Sequence, residues 1–151
     1  MKVRPADFGD VSDIVRLLMD HFYTEHDVGV KLPLSPERVF EHVMSHIGGG
    51  QVFVADNGEI VGVLMLKPFY PWWTTSPVLS DGGFYVRKDC RSAKLFSAFM
   101  DCAESFASTQ KLPLIIDLFN KEDVDRKDVL FRRRGFNRVG GTYLKASHVL
   151  Q

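Results

Sequence analysis

The sequence predicts an α/β (α+β) domain, and three observations carry that expectation. Segments of strand-like and helix-like apolar spacing follow one another along the whole chain. "QVFVADNGEIVGVLMLK" divides into two strands around Asn57-Gly58, the strongest short hairpin signal. "LPLIIDLF" is a mostly apolar run of the kind shown by a strand buried on both faces. Together they give the order β-α-α-β-β-β-α-β-α-β-β.

Each element has its own signal. "MKVRPA" alternates apolar and polar residues and stops at Pro5, which suits a first strand. Asp10 or Ser12 can then cap a helix in which Val11, Ile14, Val15, Leu17, Leu18 and Phe22 keep a helical period. Tyr23 to Pro33 read as a loop. "SPERVFEHVMSHI" opens a second helix with serine at the cap and proline in the first turn, and Gly48, Gly49 and Gly50 end it. After the hairpin, "PFYPWWTTSPVLSDGG" is a long connection, and "FYV" resumes a strand. Ala93, Phe96, Phe99, Met100, Ala103, Phe106 and Ala107 then recur at three and four, an amphipathic helix ending near Ser108. "DVDRKDVLFRRRG" is a short helix with acids early, arginines late and Gly135 as its stop, a distribution that complements the helix dipole. "FNRVGGTYLKA" closes the chain as two short strands around Gly140-Gly141.

Composition narrows the functional classes. With 151 residues, 45% hydrophobic and 25% charged, the chain fits one domain, residues 1–151, with a real core. Its formal net charge of +0 implies no polyanionic partner, and Arg132-Arg133-Arg134 fall where a helix C-terminus favours cations, so no nucleic acid is expected. "IVGVLML" and "PLIIDLF" are far shorter than the roughly 20 residues that span a bilayer. "MKVRPADFGD" holds no apolar signal core, so the expectation is a cytoplasmic protein without a membrane. Cys90 and Cys102 read as reduced structural thiols. His42 and His46 stand four apart on one helix, but no acidic partner completes a metal motif, and no metal is expected.

"VRPADFGDVSDIVRL", "VFVADNGEIVGVL", "FYVRKDCRSAKLFSAFM" and "LFRRRGFNRVGGTYLK" occur in an order and spacing that resemble the GNAT superfamily of acyl-CoA-dependent N-acetyltransferases, over nearly the whole chain. The resemblance implies the GNAT fold, a mixed, mostly antiparallel sheet splayed between two central parallel strands. Here these are "GFYV" and "LIIDLF". It also implies acetyl-CoA as co-substrate, a small-molecule or peptide amine as acceptor, direct transfer in a ternary complex without metal, and a homodimer as a candidate assembly.

By the same resemblance the pyrophosphate rests on the turn "RSAKLF", where unpaired amides at a helix N-terminus point at the anion. The candidate residues are Arg91, Ser92, Ala93, Lys94, Leu95 and Phe96. The family pattern places glycine, then glycine or alanine, where this chain has Lys94 and Phe96. The expectation is that Lys94 adds a point charge, Arg91 a fork of donors, and Phe96 turns toward the core. A solvated helix start without ligand is the alternative.

The remaining site residues are also carried over by resemblance. A backbone amide of Phe84, Tyr85 or Val86 faces the thioester oxygen, and Asn120 holds the pantetheine arm or else caps its own loop. Phe131 stands where many relatives have a proton-donating tyrosine. For the proton acceptor the candidates are Asp81, otherwise a turn residue beside Gly82-Gly83, and Tyr143, otherwise half-buried sheet surface. The acceptor is expected between "FYTEHDVGVKLP" and "FYPWWTTSPVLSD". Trp72 and Trp73 would supply aromatic walls, with Glu25, Asp27 and Asp81 as acids for a compact cationic amine. The tryptophans could instead pack on the sheet or on a partner.

Overall fold

The computed structural model describes residues 1–146. By Cα proximity the chain divides into two compact units, Met1–Thr24 with Ser35–Asp117, and Glu25–Leu34 with the segment from Leu118 onward.

The first unit is built on a five-stranded sheet in the order β1 (Lys2–Pro5), β2 (Gln51–Asp56), β3 (Ile60–Phe69), β4 (Val78–Val86) and β5 (Leu114–Ile115). The pairs up to β3 with β4 are antiparallel, and β4 with β5 is parallel. The helices are α1 (Val11–Leu17), α2 (Pro36–Gly49) and α3 (Ala93–Gln110) in this unit, and α4 (Val124–Arg133) in the other. This is the α+β architecture that the sequence predicts.

β3 lies in the middle of the sheet and is buried on both faces from Val61 to Leu66. One face meets Val11, Ile14, Leu17, Val39 and Val43 of α1 and α2 across Val63 and Met65. On the other, Phe99 of α3 lies so close to Gly62 that a Cβ there would stand 3.2 Å from its ring. Burying a large aliphatic or aromatic side chain of this kind is worth roughly 1.5–3 kcal/mol, so the double-sided burial of β3 is the main anchor of the sheet.

Local chemistry sets the boundaries. Asp7, rather than Asp10 or Ser12, caps the first helical turn: Asp7 Oδ1 accepts from Gly9 N at 2.8 Å, and Asp10 Oδ2 accepts from Asp7 N at 3.0 Å. Asp10 is also gripped by both terminal nitrogens of Arg4 at 2.9 Å. Ser35 caps α2 as expected, its Oγ accepting from Arg38 N at 3.3 Å. Asp56 Oδ1 accepts from Gly58 N at 2.9 Å in the hairpin, where Gly58 takes a φ of 107°. α1 does not run straight to Phe22 but widens into a π-turn over Leu18–Phe22, which carries the Phe22 ring edge-on to Tyr85 at 5.6 Å.

In the second unit, α4 ends before Gly135, which has a φ of +86°, as the sequence predicts. The two closing strands do not form: among the described residues, 136–146 carry no regular structure. Val139 and Tyr143 are almost wholly exposed, so no apolar face is buried there that would hold a strand in place.

Candidate active site

The site begins with a two-residue ladder. β4 and β5 pair only through Leu79 with Leu114 and Ser80 with Ile115. Beyond them the strands part, and the next link is a side chain: Asp81 Oδ1 accepts from Asp117 N at 2.7 Å. The splay expected between the central parallel strands is therefore present, with a carboxyl at its fork.

On its other edge β4 is bulged. Met65 pairs with Gly83 and Leu66 with Asp81, so Gly82 is the extra residue. α2 packs on that bulge. His42 Nε2 lies 2.6 Å from Gly82 O, and because a carbonyl only accepts, Nε2 carries the proton. His46 Nδ1 donates in the same way to His42 O at 2.8 Å, leaving Nε2 as the lone-pair nitrogen of the neutral ring. A Cβ on Gly82 would stand 2.1 Å from His46 Nε2, which explains a glycine at this point. Both histidines, with Lys67, Pro68, Phe69, Ser80, Asp81 and Gly82, line an open pocket of about 210 Å³.

Burial pushes the Asp81 carboxyl up to about 6, against the opposing pull of the Asp117 amide. Burial likewise lowers His46 and keeps its ring neutral. A carboxyl poised near 6 in a pocket beside a strand fork is ionised at neutral pH, yet basic enough to take a proton. Asp81 is thus more than a turn residue: its side chain replaces a ladder bond and lines the pocket. The two histidines were considered in the sequence only as metal ligands. The contact of His42 with a glycine 40 positions away has no signal in the sequence.

Toward α3, Arg87 N donates to Val61 O of β3 at 2.8 Å. Strand alternation then turns the amides of Phe84 and Val86 to the opposite edge, where β5 has departed, and the Tyr85 amide toward β3. Arg91 does not stand as an open fork: its Nε donates to Val86 O at 2.7 Å and its guanidinium lies 5.6 Å from the centre of the Tyr85 ring. Ser92 caps α3, accepting from Leu95 N at 3.0 Å. The amides of Ala93 and Lys94 have no acceptor within the helix and sit at its positive end. The Lys94 side chain is exposed, Leu95 is buried in the core, and Phe96 turns inward to Phe84 at 6.2 Å between ring centres. Backbone amides, the helix dipole and Lys94 form a donor set that fits a pyrophosphate.

Trp72 and Trp73 stand edge-to-face at 5.7 Å and are 92% and 70% exposed, so they do not pack on the sheet. Phe69 links that connection to the pocket.

The second unit holds the remaining candidates. Asp27 already has partners: Oδ1 accepts from Gly29 N at 2.9 Å within its own loop, and the carboxyl pairs with Lys121 at 3.6 Å. Glu25 closes a single helical turn, Tyr23–Glu25. Asn120 caps its loop, Oδ1 accepting from Glu122 N at 3.0 Å, the local alternative weighed above. Phe131 lies edge-on to Phe136 at 5.3 Å and carries no proton to give. Tyr143 is 97% exposed and on no strand, contrary to the expected sheet position. Among the described residues no group of three or more His, Cys, Asp or Glu side chains is placed to hold a metal ion, and no helix is long and apolar enough to cross a membrane.

The family model described as the acetyltransferase (GNAT) family matches residues 12–136, most of the chain. The chain belongs to the GNAT acetyltransferase family. Solved structures place this GNAT chain in the same fold. An integron cassette protein from the mobile metagenome of Cole Harbour salt marsh has a TM-score of 0.71 at 22% identity, covering 99% of this chain and 91% of its own. Aminoglycoside 6'-N-acetyltransferase from Acinetobacter haemolyticus has a TM-score of 0.69 at 17% identity, covering 99% of both chains. AAC(6')-Iy, in complex with the bisubstrate analogue CoA-S-monomethyl-acetylneamine, has a TM-score of 0.69 at 12% identity, covering 97% of both chains. No curated protein matches the chain.

Proposed function

We propose that this GNAT protein transfers an acetyl group from acetyl-CoA to a primary amine by direct attack within a ternary complex, with Asp81 as the proton acceptor. The observation that carries the reading is the Asp81 carboxyl: it sits at the fork of β4 and β5, is raised to about 6 by burial, and opens on a pocket.

When bound, acetyl-CoA supplies an activated acyl carbonyl and a thiolate leaving group. The chain supplies the rest. The Ala93 and Lys94 amides and the Lys94 ammonium hold the pyrophosphate, and Ser92 keeps that turn in place through its cap. The edge amides of Phe84 or Val86 are aimed where charge develops on the acyl oxygen, with no reorganisation needed at that moment. Asp81 takes the proton from the entering ammonium or amine on the pocket side, and its bond to the Asp117 amide fixes the carboxyl's direction. No side-chain donor is needed for the leaving group, since a thiolate departs readily; Phe131 is consistent with that.

A primary amine of low molecular weight suits a pocket of about 210 Å³. Two of the structural neighbours are named for, or bound to an analogue of, aminoglycoside acetylation, a small-amine chemistry of the same kind. Thiol release from acetyl-CoA, measured across a panel of small amines and peptides, tests the reading. Acceptor-dependent release supports it, whereas calorimetric binding of acetyl-CoA with no release for any amine would point to a binding domain instead.

A further inference from the structure

Lysine side chains ordinarily carry their ammonium out into water along an apolar stem. Lys67 folds back onto α2 instead. Alternation along β3 puts it on the face of Val63 and Met65, the face that α1 and α2 cover. Its stem runs past the end of α2 where Gly49 has no side chain, and a Cβ there would stand 3.1 Å from Lys67 Cε. The ammonium donates to a neutral group, Ser45 Oγ, at 2.5 Å. Among the described residues no carboxylate pairs with Lys67, and it is the only lysine or arginine that lines the pocket.

Ser80 is the ladder partner of Lys67, and Asp81 is the next residue of β4 in the same pocket. The opposite charges of Lys67 and Asp81 are drawn apart rather than paired. Asp81 Oδ1 turns to the Asp117 amide beyond β5, and Lys67 Nζ turns to Ser45 on α2. Pro68 and Phe69 add an apolar wall, and Ser80 adds a hydroxyl whose own bond, to Asp81 O, is long at 3.4 Å. A plain monoamine answers only the acid. A polyamine sets a second ammonium against Lys67, whereas an amine that also carries an anion answers both groups.

We infer that the acceptor is a small primary amine that also bears an anionic group, a carboxylate or a phosphate-type group, and that Lys67 selects it by binding that anion. Lys67 is then a specificity-determining residue that touches the acceptor away from the reacting nitrogen. The inference deepens the proposed function and rests on Asp81 as the group that receives the amine.

The test uses the full-length parent with Lys67→Met, which keeps the stem beside Gly49 and loses the charge, and Lys67→Glu, which reverses it. Lys67 is half-buried at the pocket edge, so both are expected to fold, and melting temperatures check this. Affinities are measured by calorimetry, with and without coenzyme A, for amino carboxylates, amino phosphonates, amino amides and diamines of matched and graded chain length. Thiol release from acetyl-CoA is followed with the same compounds.

In the parent, an anionic series should bind at least about tenfold tighter than the amide of the same length, and the diamine should bind weakest. Carboxylate against phosphonate tells which anion the pocket takes. Lys67→Met should bring acid and amide to within about twofold, and Lys67→Glu should favour the diamine, at unchanged affinity for acetyl-CoA. A parent that binds amides or diamines as well as the acids, or a preference that survives in Lys67→Met, overturns the inference. So does a lowered melting temperature with an unaltered preference, which would leave Lys67 as a cation serving the C-terminal end of α2. A preference lost in Lys67→Met while no compound releases thiol supports the subsite and refutes the transfer reading, so the two fail separately.

Discussion

Asp81 and Asp117 are joined by a side chain where two strands should have been joined by backbone. Just past the last ladder pair of β4 and β5, Ser80 with Ile115, Asp81 Oδ1 takes the Asp117 amide at 2.7 Å. The strands can part there without stranding a donor, because the carboxyl satisfies the amide that the ladder abandons. Holding an acid in that fork is costly, and its raised proton affinity is the sign of that cost.

Stability should therefore improve when the acid is removed. The folded value of about 6 lies above the reference of 3.8, so the stabilisation from the protonated form is complete below about pH 4 and is lost as pH rises through about 6. At about pH 7.5 the buried carboxylate is a net burden, and Asp81→Asn, which can still accept from the Asp117 amide, should be more stable by about 1–2 kcal/mol. Urea unfolding at about pH 7.5 and below pH 4 checks this: the gain should shrink in acid. A variant less stable than the parent at pH 7.5 contradicts it.

Arg91 and Lys94 should separate. Lys94 is exposed at the start of α3, whereas Arg91 is bonded to Val86 O and lies over Tyr85. Lys94→Ala should weaken acetyl-CoA binding about three- to tenfold with an unchanged melting temperature. Arg91→Ala should lower the melting temperature by a few degrees as well, since a sheet carbonyl loses its donor. Calorimetry and thermal unfolding on the same samples decide. An affinity unaffected in the double variant would mean that the turn does not carry the pyrophosphate.

The exposed tryptophans make a third test. Trp72 and Trp73 bury little, so replacing either by alanine should leave the melting temperature within about one or two degrees. If they wall the acceptor's approach beside Phe69, the acceptor's KM should rise severalfold while that of acetyl-CoA stays constant. Dissociation of a dimer in sedimentation, with unchanged KM, would instead assign them to an interface.

The fold was legible where patterns were local. Ser35-Pro36 marked a helix start, Asn57-Gly58 a hairpin, and Gly135 a helix stop, because each sets its own backbone through side-chain or glycine chemistry. "FNRVGGTYLKA" carried the alternation of a strand pair, but its apolar residues bury nothing, and spacing alone cannot supply the neighbour that a strand requires. In the site, Asp81 was singled out by resemblance alone, since its place beside Gly82-Gly83 read equally as a turn. The clasp on that bulge was not: it joins His42 to a glycine far along the chain, and only the packing of α2 on the sheet brings them together. Asn120 and Asp27 each accept an amide two residues on in the chain, local bonding of a kind that short polar residues in turns often make and that spacing alone does not separate from a ligand contact.

The pH profile of acyl transfer tests the central claim most directly. With an amine acceptor identified by thiol release, kcat/KM is measured between about pH 5 and 9 for the parent and for Asp81→Asn. The account predicts an acidic limb near pH 6 in the parent, where the buried carboxyl takes up its proton. It also predicts a loss of at least about a hundredfold in Asp81→Asn with acetyl-CoA affinity intact. Asp81→Asn retaining the parent's turnover and the same limb would contradict it, and the proton would have to leave the amine by another route.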